Sequence, residues 1–150
     1  MRAILQRVSK ASVSVDGDTV GEIQGGLLIL LGAGRGDGPE QVEWIVRKIA
    51  QLRIFGDETG RMNLSLEASG GSALVVSQFT LYGDCRKGNR PSFSRAMDPE
   101  EATKMVDRVV EALQGRGIPT QTGQFGANMR VELVNEGPVT LVLDTETGKG

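Results

Sequence analysis

The chain has 150 residues, a net charge of −2, one cysteine and no histidine. A chain of this length makes one ordinary domain with a real hydrophobic core, and the single Cys85 excludes an intrachain disulfide and a CxxC site. The lack of histidine excludes Ser-His-Asp and Cys-His nucleophiles and argues strongly against a zinc site. Catalysis would have to use carboxylates, hydroxyls, amides, backbone groups or the substrate itself. No pattern of residues points to a bound metal or cofactor.

The first half of the chain carries the patterns of five strands and one helix. Alternating or continuous apolar residues predict strands over 2–8, 11–15, 19–23, 27–31 and 62–66. The dipeptide Asp16-Gly17 is a strong hairpin signal. Pro39 begins an amphipathic helix that is expected to run to about Leu52.

The stretch 73–84 combines a buried strand with a polar exit. Residues 73–76 are apolar and predict the strand, and Ser77, Gln78 and Thr80 then surround Phe79. Polar side chains at the end of a buried strand cost free energy unless something pairs with them. They either bond to neighbouring backbone or form a functional site, and the stretch by itself favours backbone pairing.

A basic loop follows at 86–95, with four cations and no acid. It is either a solvated surface loop or a contact for phosphates. In the second case Arg86, Lys87 and Arg90 would neutralise a nucleic-acid backbone, and Phe93 would stack on a base or pack inward.

The last third of the chain predicts one more helix and two strands. Asp98 is placed to cap a helix that begins at Pro99 and ends near Gly115 or Gly117. Strands are predicted over 129–134 and 139–144, joined by a turn at 135–138. Only about 5–6% of X–Pro bonds in folded proteins are cis, so this frequency favours a trans bond before Pro138. Residues 145–150 are expected to fray.

These elements predict a single α+β domain over residues 1–150. Its sheet would be largely antiparallel and curled like a barrel, with about eight strands and two packed amphipathic helices. The N-terminal segment lacks the apolar core of a signal peptide, and the longest apolar run, 27–31, is too short to cross a bilayer. We therefore expect a cytoplasmic protein with no membrane partner.

Several short motifs, taken in order, resemble one family. S-Q-F-T-L at 77–81 and N-E-G-P-V-T at 135–140 are similar to the two signature motifs of the D-aminoacyl-tRNA deacylases. The likeness extends to Q-R-V-x-x-A-S-V-x-V at 6–15, R-P-S-F-S at 90–94 and T-Q-T-G-x-F-G-A-x-M at 120–129. It covers essentially the whole chain, and the ordered set is far more specific than any single motif.

The resemblance implies a homodimeric hydrolase that cleaves the ester between a D-amino acid and the terminal ribose of tRNA. Its sites would lie at the dimer interface, where Gly137 and Pro138 of one subunit reach into the pocket of the other. In this family the Gly-Pro bond is cis, and its carbonyl oxygens would face the substrate α-amino group. Met129 would form a wall of the pocket.

The resemblance also implies how the residues at 77–80 act. The backbone N–H groups of Phe79 and Thr80 would hold the developing oxyanion, while Ser77 and Gln78 would hold the pocket and the terminal adenosine of the acceptor end. The vicinal 2′-hydroxyl of that adenosine would take part in the chemistry. Thr80 is a conceivable covalent nucleophile, but a threonine hydroxyl needs an activating base and none is identifiable.

Selectivity would come from steric rejection of the L side chain, so glycyl-tRNA should also be hydrolysed. The chain departs from the family at Asn128 and Glu136, where aspartate is expected, and these changes bear on fine substrate preference. The alternative from a different functional class is a dimeric RNA-binding module without turnover, which would bind RNA with a steep salt dependence.

Overall fold

The computed structural model describes residues 1–147, which form eight strands and three α-helices. The strands are β1 (Arg2–Val15), β2 (Asp18–Ile23), β3 (Gly26–Gly32), β4 (Phe55–Gly56), β5 (Met62–Leu64), β6 (Ser72–Ser77), β7 (Thr120–Thr122) and β8 (Arg130–Asp144). The helices are α1 (Pro39–Gln51), α2 (Leu66–Ser69) and α3 (Pro99–Gly115), and a 3₁₀ turn spans Phe79–Tyr82.

Six strands form one curled sheet in the order β2-β1-β3-β6-β7, with β8 on the other edge of β1. The pairs that involve β1 are antiparallel, whereas β3 with β6 and β6 with β7 are parallel. The curl brings β2 back to β7, where the Cα of Gly21 closely approaches the Thr122 carbonyl. The predicted α+β class, with a largely antiparallel, barrel-like sheet and two packed amphipathic helices, is confirmed. The four-residue α2 is an addition.

Both faces of the sheet are covered, which explains the continuous apolar run of β3. Leu27, Ile29 and Leu31 pack with α1 and α3 in the larger core, while Leu28 belongs to a second core inside the curl. Burial of each such side chain stabilises the fold by about 1.5–3 kcal/mol. Polar side chains would therefore be costly along β3 and its parallel neighbour β6. The polar residues that follow Val76 lie where β6 ends.

The two long helices begin and end close to the predicted positions. Their buried faces are apolar, with Ile45 of α1 and Val109 of α3 fully buried. The predicted side-chain cap at Asp98 is wrong, because its carboxylate makes no bond to the helix backbone and instead faces the Arg35 guanidinium at 3.7 Å.

Two strand predictions need correction in the first half of the chain. Residues 2–8 and 11–15 belong to one strand, β1, whose irregularities near Val8 replace the expected break. The strand predicted over 62–66 ends at Leu64, because Ser65 caps α2 by accepting a hydrogen bond from the Ala68 N–H at 3.1 Å.

The predicted C-terminal hairpin is also wrong, because both halves of β8 run antiparallel to β1. Gln6 lies opposite Thr140 and Val8 lies opposite Asn135, so the residues between them form a bulge. The Asn135 side chain closes this bulge, since its Oδ1 accepts a hydrogen bond from the Val139 N–H at 2.8 Å. The Gly137–Pro138 bond is cis, the isomer that the resemblance implies and not the one that the general frequency favours.

The N-terminus and residue 145 meet in the core. The Met1 amino group donates a hydrogen bond to Thr145 Oγ1 at 2.6 Å and lies 2.7 Å from Asp37 Oδ2. Thr145 is buried, so fraying does not begin there as expected, and residues 148–150 lie outside the described residues. No helix within residues 1–147 is long and apolar enough to cross a membrane.

Candidate active site

A pocket of about 540 Å³ lies where β6 ends, between the 3₁₀ turn, the start of α3 and the segment that precedes β8. It is lined by Arg35, Val76, Ser77, Gln78, Phe79, Phe93, Ala96, Met97, Asp98, Pro99, Ala102, Phe125, Gly126, Ala127, Met129 and Val131. The pocket therefore brings together five of the residues singled out in the sequence: Ser77, Gln78, Phe79, Phe93 and Met129.

Thr80 is exposed and is not among the residues that line the pocket. Its hydroxyl accepts a hydrogen bond from the side-chain amide of Gln78. The described residues include no histidine and no base beside Thr80, so the hydroxyl has a structural partner and no activator. The side chain of Thr80 thus helps to hold Gln78, which itself lines the pocket.

Backbone and side-chain hydrogen bonds attach the 3₁₀ turn to the central strands of the sheet. The Gln78 N–H donates to the Leu31 carbonyl at 2.8 Å, which extends the β3–β6 pairing by one bond. Arg2 donates to the Leu81 carbonyl at 2.9 Å, and its guanidinium lies 4.5 Å from the Tyr82 ring centre. These contacts fix both ends of the turn relative to the central strands.

Tyr82 anchors the end of the turn because its ring is buried against the backbone of Gly34. A Cβ atom at position 34 would lie only 2.6 Å from the ring carbon Cζ, so a glycine is required there. Burial, reinforced by the Asp37 carboxylate, raises the pKa of the Tyr82 phenol far above its usual value. The phenol therefore stays protonated at neutral pH and cannot act as a general base.

Two backbone donors are available at the start of the turn. The first N–H groups of a helical segment have no partner within it, and in residues 1–147 no hydrogen bond engages the N–H of Phe79 or of Thr80. The bonds within the turn begin one residue later, with the Leu81 N–H donating to the Gln78 carbonyl at 3.3 Å. Donors fixed in this way can stabilise a developing negative charge.

The apolar wall opposite these donors comes from the segment before β8. Met129 Sδ accepts a weak hydrogen bond from the Gln124 N–H at 3.4 Å, which holds the thioether against the backbone. A Cβ at position 123 would meet this sulfur at 2.6 Å, so Gly123 makes room for it. Met129 therefore forms part of the apolar wall of this pocket.

An aromatic pair stands at the mouth of the pocket. The rings of Phe79 and Phe93 meet edge to face, with centroids 5.2 Å apart. They remain 55% and 39% exposed, which is unusual for large apolar side chains unless a partner covers them. Exposed aromatic rings of this kind offer a stacking surface for a nucleobase.

The basic loop places Phe93 in the pocket, whereas its four cations lie outside the pocket lining. The Asp84 and Ser92 backbones pair through two hydrogen bonds of 2.7 and 3.0 Å, which bring Phe93 to the pocket. Arg86, Lys87 and Arg90 lie outside its lining. Arg86 is bound to Asp84 at 2.7 Å, and this hydrogen bond lowers the pKa of the Asp84 carboxyl to about 2.

Arg35 is the pocket residue that sequence reasoning missed. It lies in the turn after β3, and its Nε donates to the Ser94 carbonyl at 2.7 Å. A single arginine in the glycine-rich segment G-A-G-R-G-D-G is the available signal, and it is a weak one. The position next to the pocket depends on contacts with residues about sixty positions away.

Gly137 and Pro138 lie outside this pocket. Neither residue is among those that line the pocket, although Val131, near the start of the same strand, is. The bulge is held by Arg7, which donates to the Glu136 carbonyl at 2.9 Å and to the Ile54 carbonyl at 2.8 Å. Arg7 and Glu136 also border a second, more open cavity of about 520 Å³.

The donor set of the pocket suits hydrogen bonding and positioning. Its polar groups are the hydroxyl of Ser77, the amide of Gln78, backbone N–H groups, Arg35 and Asp98. Within residues 1–147, no three histidine, cysteine, aspartate or glutamate side chains are grouped as a metal site would require.

Comparison with known proteins places the chain in a family. The family model described as D-Tyr-tRNA(Tyr) deacylase matches residues 4–144. The D-aminoacyl-tRNA deacylase of Chloroflexus aurantiacus is 59% identical, covering 97% of this chain and 91% of the relative. The D-aminoacyl-tRNA deacylase of Thermomicrobium roseum is 56% identical, covering 100% of this chain and 97% of the relative.

Solved structures share the fold of this chain. One described as c-Myc DNA Unwinding Element Binding Protein superposes with a TM-score of 0.91 at 39% identity, covering 97% of this chain and 99% of that one. A probable eukaryotic D-amino acid tRNA deacylase, at 20% identity with a TM-score of 0.80 and coverage of 95% and 97%, shares the fold. The chain therefore belongs to the D-Tyr-tRNA(Tyr) deacylase family of hydrolases.

Proposed function

We propose that this protein hydrolyses the ester bond of D-aminoacyl-tRNA and releases the D-amino acid and free tRNA in the cytoplasm. The observation that carries this proposal is the pair of unengaged N–H groups at Phe79 and Thr80, at the edge of a pocket with aromatic and apolar walls. Family membership supports the same activity.

The proposed chemistry needs no strong protein base. Water attacks the ester carbonyl carbon, the bond from that carbon to the ribose oxygen breaks, and the proton lost by water reaches the ribose oxygen through the neighbouring 2′-hydroxyl. An aminoacyl ester is already activated, so positioning and oxyanion stabilisation account for the rate. The Phe79 and Thr80 N–H groups hold the oxyanion, and Ser77 and Gln78 hold the terminal adenosine.

We further propose that the active protein is a homodimer with composite sites. Gly137 and Pro138 lie outside the pocket of their own subunit, so a second copy would have to supply them. The edge strand β8 leaves Val142 70% exposed, which supports an apolar partner along this edge. The carbonyl oxygens of this bulge would bind the substrate α-amino group, and the L side chain would clash with the backbone.

The test of the activity compares the loss of radiolabelled amino acid from D-tyrosyl-tRNA and L-tyrosyl-tRNA at catalytic enzyme concentration. Rapid loss from the D form alone supports both the deacylase and the chiral filter. Loss from both forms keeps the hydrolase but contradicts the filter. Glycyl-tRNA is the third substrate, and its complete resistance at high enzyme concentration would count against steric rejection by backbone.

A mixing experiment tests the composite site. A pocket variant, Gln78→Ala, and a bulge variant, Gly137→Ala, are each assayed alone and after denaturation and refolding together. If each site combines both subunits, half of the dimers are mixed and each holds one intact site, so roughly a quarter of wild-type activity returns. If both parts act within one subunit, no activity returns.

A dimeric RNA-binding module without turnover is the second candidate. The exposed rings of Phe79 and Phe93 and the cations Lys87 and Arg90 favour contact with nucleic acid in either case. This candidate predicts tRNA binding with a steep salt dependence and an intact ester. Binding without loss of label from D-tyrosyl-tRNA would therefore replace the deacylase proposal.

A further inference from the structure

We propose that Arg35 binds the phosphate on the 5′ side of the terminal adenosine of the substrate. This inference rests on the proposed function and adds a subsite to it. Among the described residues that line the pocket, Arg35 is the cation and Asp98 is the acid. An anionic group of a ligand in this pocket can therefore form an ion pair with Arg35.

The guanidinium of Arg35 is oriented and still available. Its Nε donates to the Ser94 carbonyl at 2.7 Å, which fixes the direction of the group. Its Nη2 lies 3.7 Å from Asp98 Oδ1, which is beyond hydrogen-bond distance, and the side chain is 62% exposed. The terminal amino groups can therefore donate to a phosphate, and Asp98 is only a weak competitor.

The backbone beneath Arg35 is fixed before any ligand binds. The Arg35 N–H donates to the Arg95 carbonyl at 3.0 Å, and Asp37 Oδ2 accepts from the Gly34 N–H at 2.7 Å. Asp37 is in turn paired with the buried Met1 amino group. Because the backbone of this turn is already ordered, binding of a ligand costs no backbone entropy there, which favours affinity.

The chemistry of the substrate identifies the anion. An aminoacyl ester has no free carboxylate, and its α-amino group is a cation that Arg35 would repel. The nearest negative charge is the phosphodiester on the 5′ side of the same nucleoside. The pocket thus offers Phe79 and Phe93 to the base and Arg35 to the phosphate, and arginine is well suited to bind phosphate through two parallel hydrogen bonds.

The decisive experiment compares Arg35→Gln with wild type on three substrates: D-tyrosyl-tRNA, the 3′-D-tyrosyl ester of adenosine and the same ester of 5′-AMP. We expect kcat/KM of the variant to fall on the order of 10-fold for tRNA and for the AMP ester, through KM. The adenosine ester, which lacks the phosphate, should be cleaved as fast as by wild type. For tRNA, the slope of the logarithm of the binding constant against the logarithm of the salt concentration should decrease in magnitude by about 0.7.

Two further variants separate a phosphate contact from a structural role. Arg116→Gln is the matched control, because Arg116 lies outside the pocket and is bound to Glu67 at 2.6 Å, and it should behave as wild type on all three substrates. Arg35→Lys keeps the charge but loses the paired donors, so it should recover part of the loss. Equal losses of Arg35→Gln on all three substrates, or no loss on any, would overturn the inference.

A binding measurement keeps this inference separate from the proposed function. If wild type cleaves none of the esters, the deacylase proposal fails. The Arg35 contact is then judged by NMR titration with 5′-AMP and adenosine. If wild type binds 5′-AMP more tightly than adenosine and Arg35→Gln abolishes this difference, the phosphate contact is supported. Equal binding of 5′-AMP and adenosine by wild type rejects it.

Discussion

The 3₁₀ turn at Phe79–Tyr82 and the loop at 85–91 follow each other along the chain, but the protein holds them by different means. Buried groups fix the turn: Arg2 binds the Leu81 carbonyl, and the Tyr82 ring packs against Gly34. The loop is exposed, and its best-defined contact joins Arg86 to Asp84 two residues away.

This difference separates two kinds of contribution to a site. Buried contacts with the central sheet fix the positions of backbone donors, which is what oxyanion stabilisation requires. An exposed arginine that is already paired with a neighbouring carboxylate adds little that is specific, since exposed ion pairs contribute about 0–1 kcal/mol and are screened by salt. The effects of substitutions should therefore be large at the turn and small at Arg86.

The largest effect is expected for Gly34→Ala. The added Cβ would lie 2.6 Å from Tyr82 Cζ, so the ring and the turn must shift. Overpacking of this kind costs about 1–3 kcal/mol of unfolding free energy, and a displacement of the donors by about 1 Å should lower kcat/KM roughly 100-fold. Urea denaturation and D-tyrosyl-tRNA hydrolysis measure the two effects. Gly115→Ala, where nothing lies near the added methyl group, is the control; it should leave the activity unchanged and should not lower the unfolding free energy.

A change of opposite sign is expected for Tyr82→Phe. The Tyr82 hydroxyl is buried, and no hydrogen-bond partner for it exists in the described chain. Removing an unsatisfied buried hydroxyl should raise the unfolding free energy by up to about 1–3 kcal/mol, while the ring still anchors the turn. Thermal and urea unfolding test this. A clear loss of stability would show that the hydroxyl is satisfied in solution.

Thr80→Ala should have a modest effect on catalysis. The variant keeps the backbone N–H assigned to the oxyanion and loses only the side-chain contact with Gln78. We expect kcat to fall by no more than about 3–10-fold, the cost of one net hydrogen bond. Thr80→Ser keeps the hydroxyl and serves as the control. If Thr80→Ala abolishes activity and Thr80→Ser retains some, the covalent mechanism is favoured instead.

The smallest effect is expected for Arg86→Gln, whose main consequence is a change in the titration of Asp84. The Arg86 hydrogen bond lowers the pKa of this carboxyl to about 2 in the folded protein. Its stabilising contribution is therefore fully present above the unfolded pKa of about 3.9 and is lost as the pH falls toward 2.

Carbon-detected NMR of the Asp84 carboxyl is the appropriate measurement. In Arg86→Gln its pKa should return toward the usual range, and the stability difference from wild type should vanish at low pH. Arg90→Gln, in the same loop, should leave the Asp84 titration unchanged. An unaltered pKa in Arg86→Gln would mean that the pair seen in the structure is not populated in solution.

The elements that the sequence predicted correctly are those whose signals are local. The apolar spacing of Val42, Ile45 and Ile49 specifies α1 without reference to any other segment. Continuous apolar residues mark β3 as a strand buried on both faces. The S-Q-F-T-L motif at the exit of β6, read together with the other motifs in order, also identified the family that the comparisons report.

The features that sequence reasoning missed depend on contacts between distant segments. The predicted hairpin at 135–138 is a bulge because both flanks pair with β1, more than a hundred residues earlier. Asp98 precedes α3 but its carboxylate makes no capping bond and lies toward Arg35, more than sixty residues earlier in the chain. Local periodicity carries no information about such partners, and a strand register is decided by the whole sheet.

By itself, then, the sequence determined the two long helices, the central strands, the backbone motif at 77–80 and the family, because each depends on neighbours along the chain or on motifs in a fixed order. The tertiary structure alone decided that Arg35 and Phe93 join the pocket, that Arg86 is paired outside it, and that Gly137 and Pro138 lie outside it. The physical reason is that these placements arise from packing and pairing between segments that are far apart in sequence.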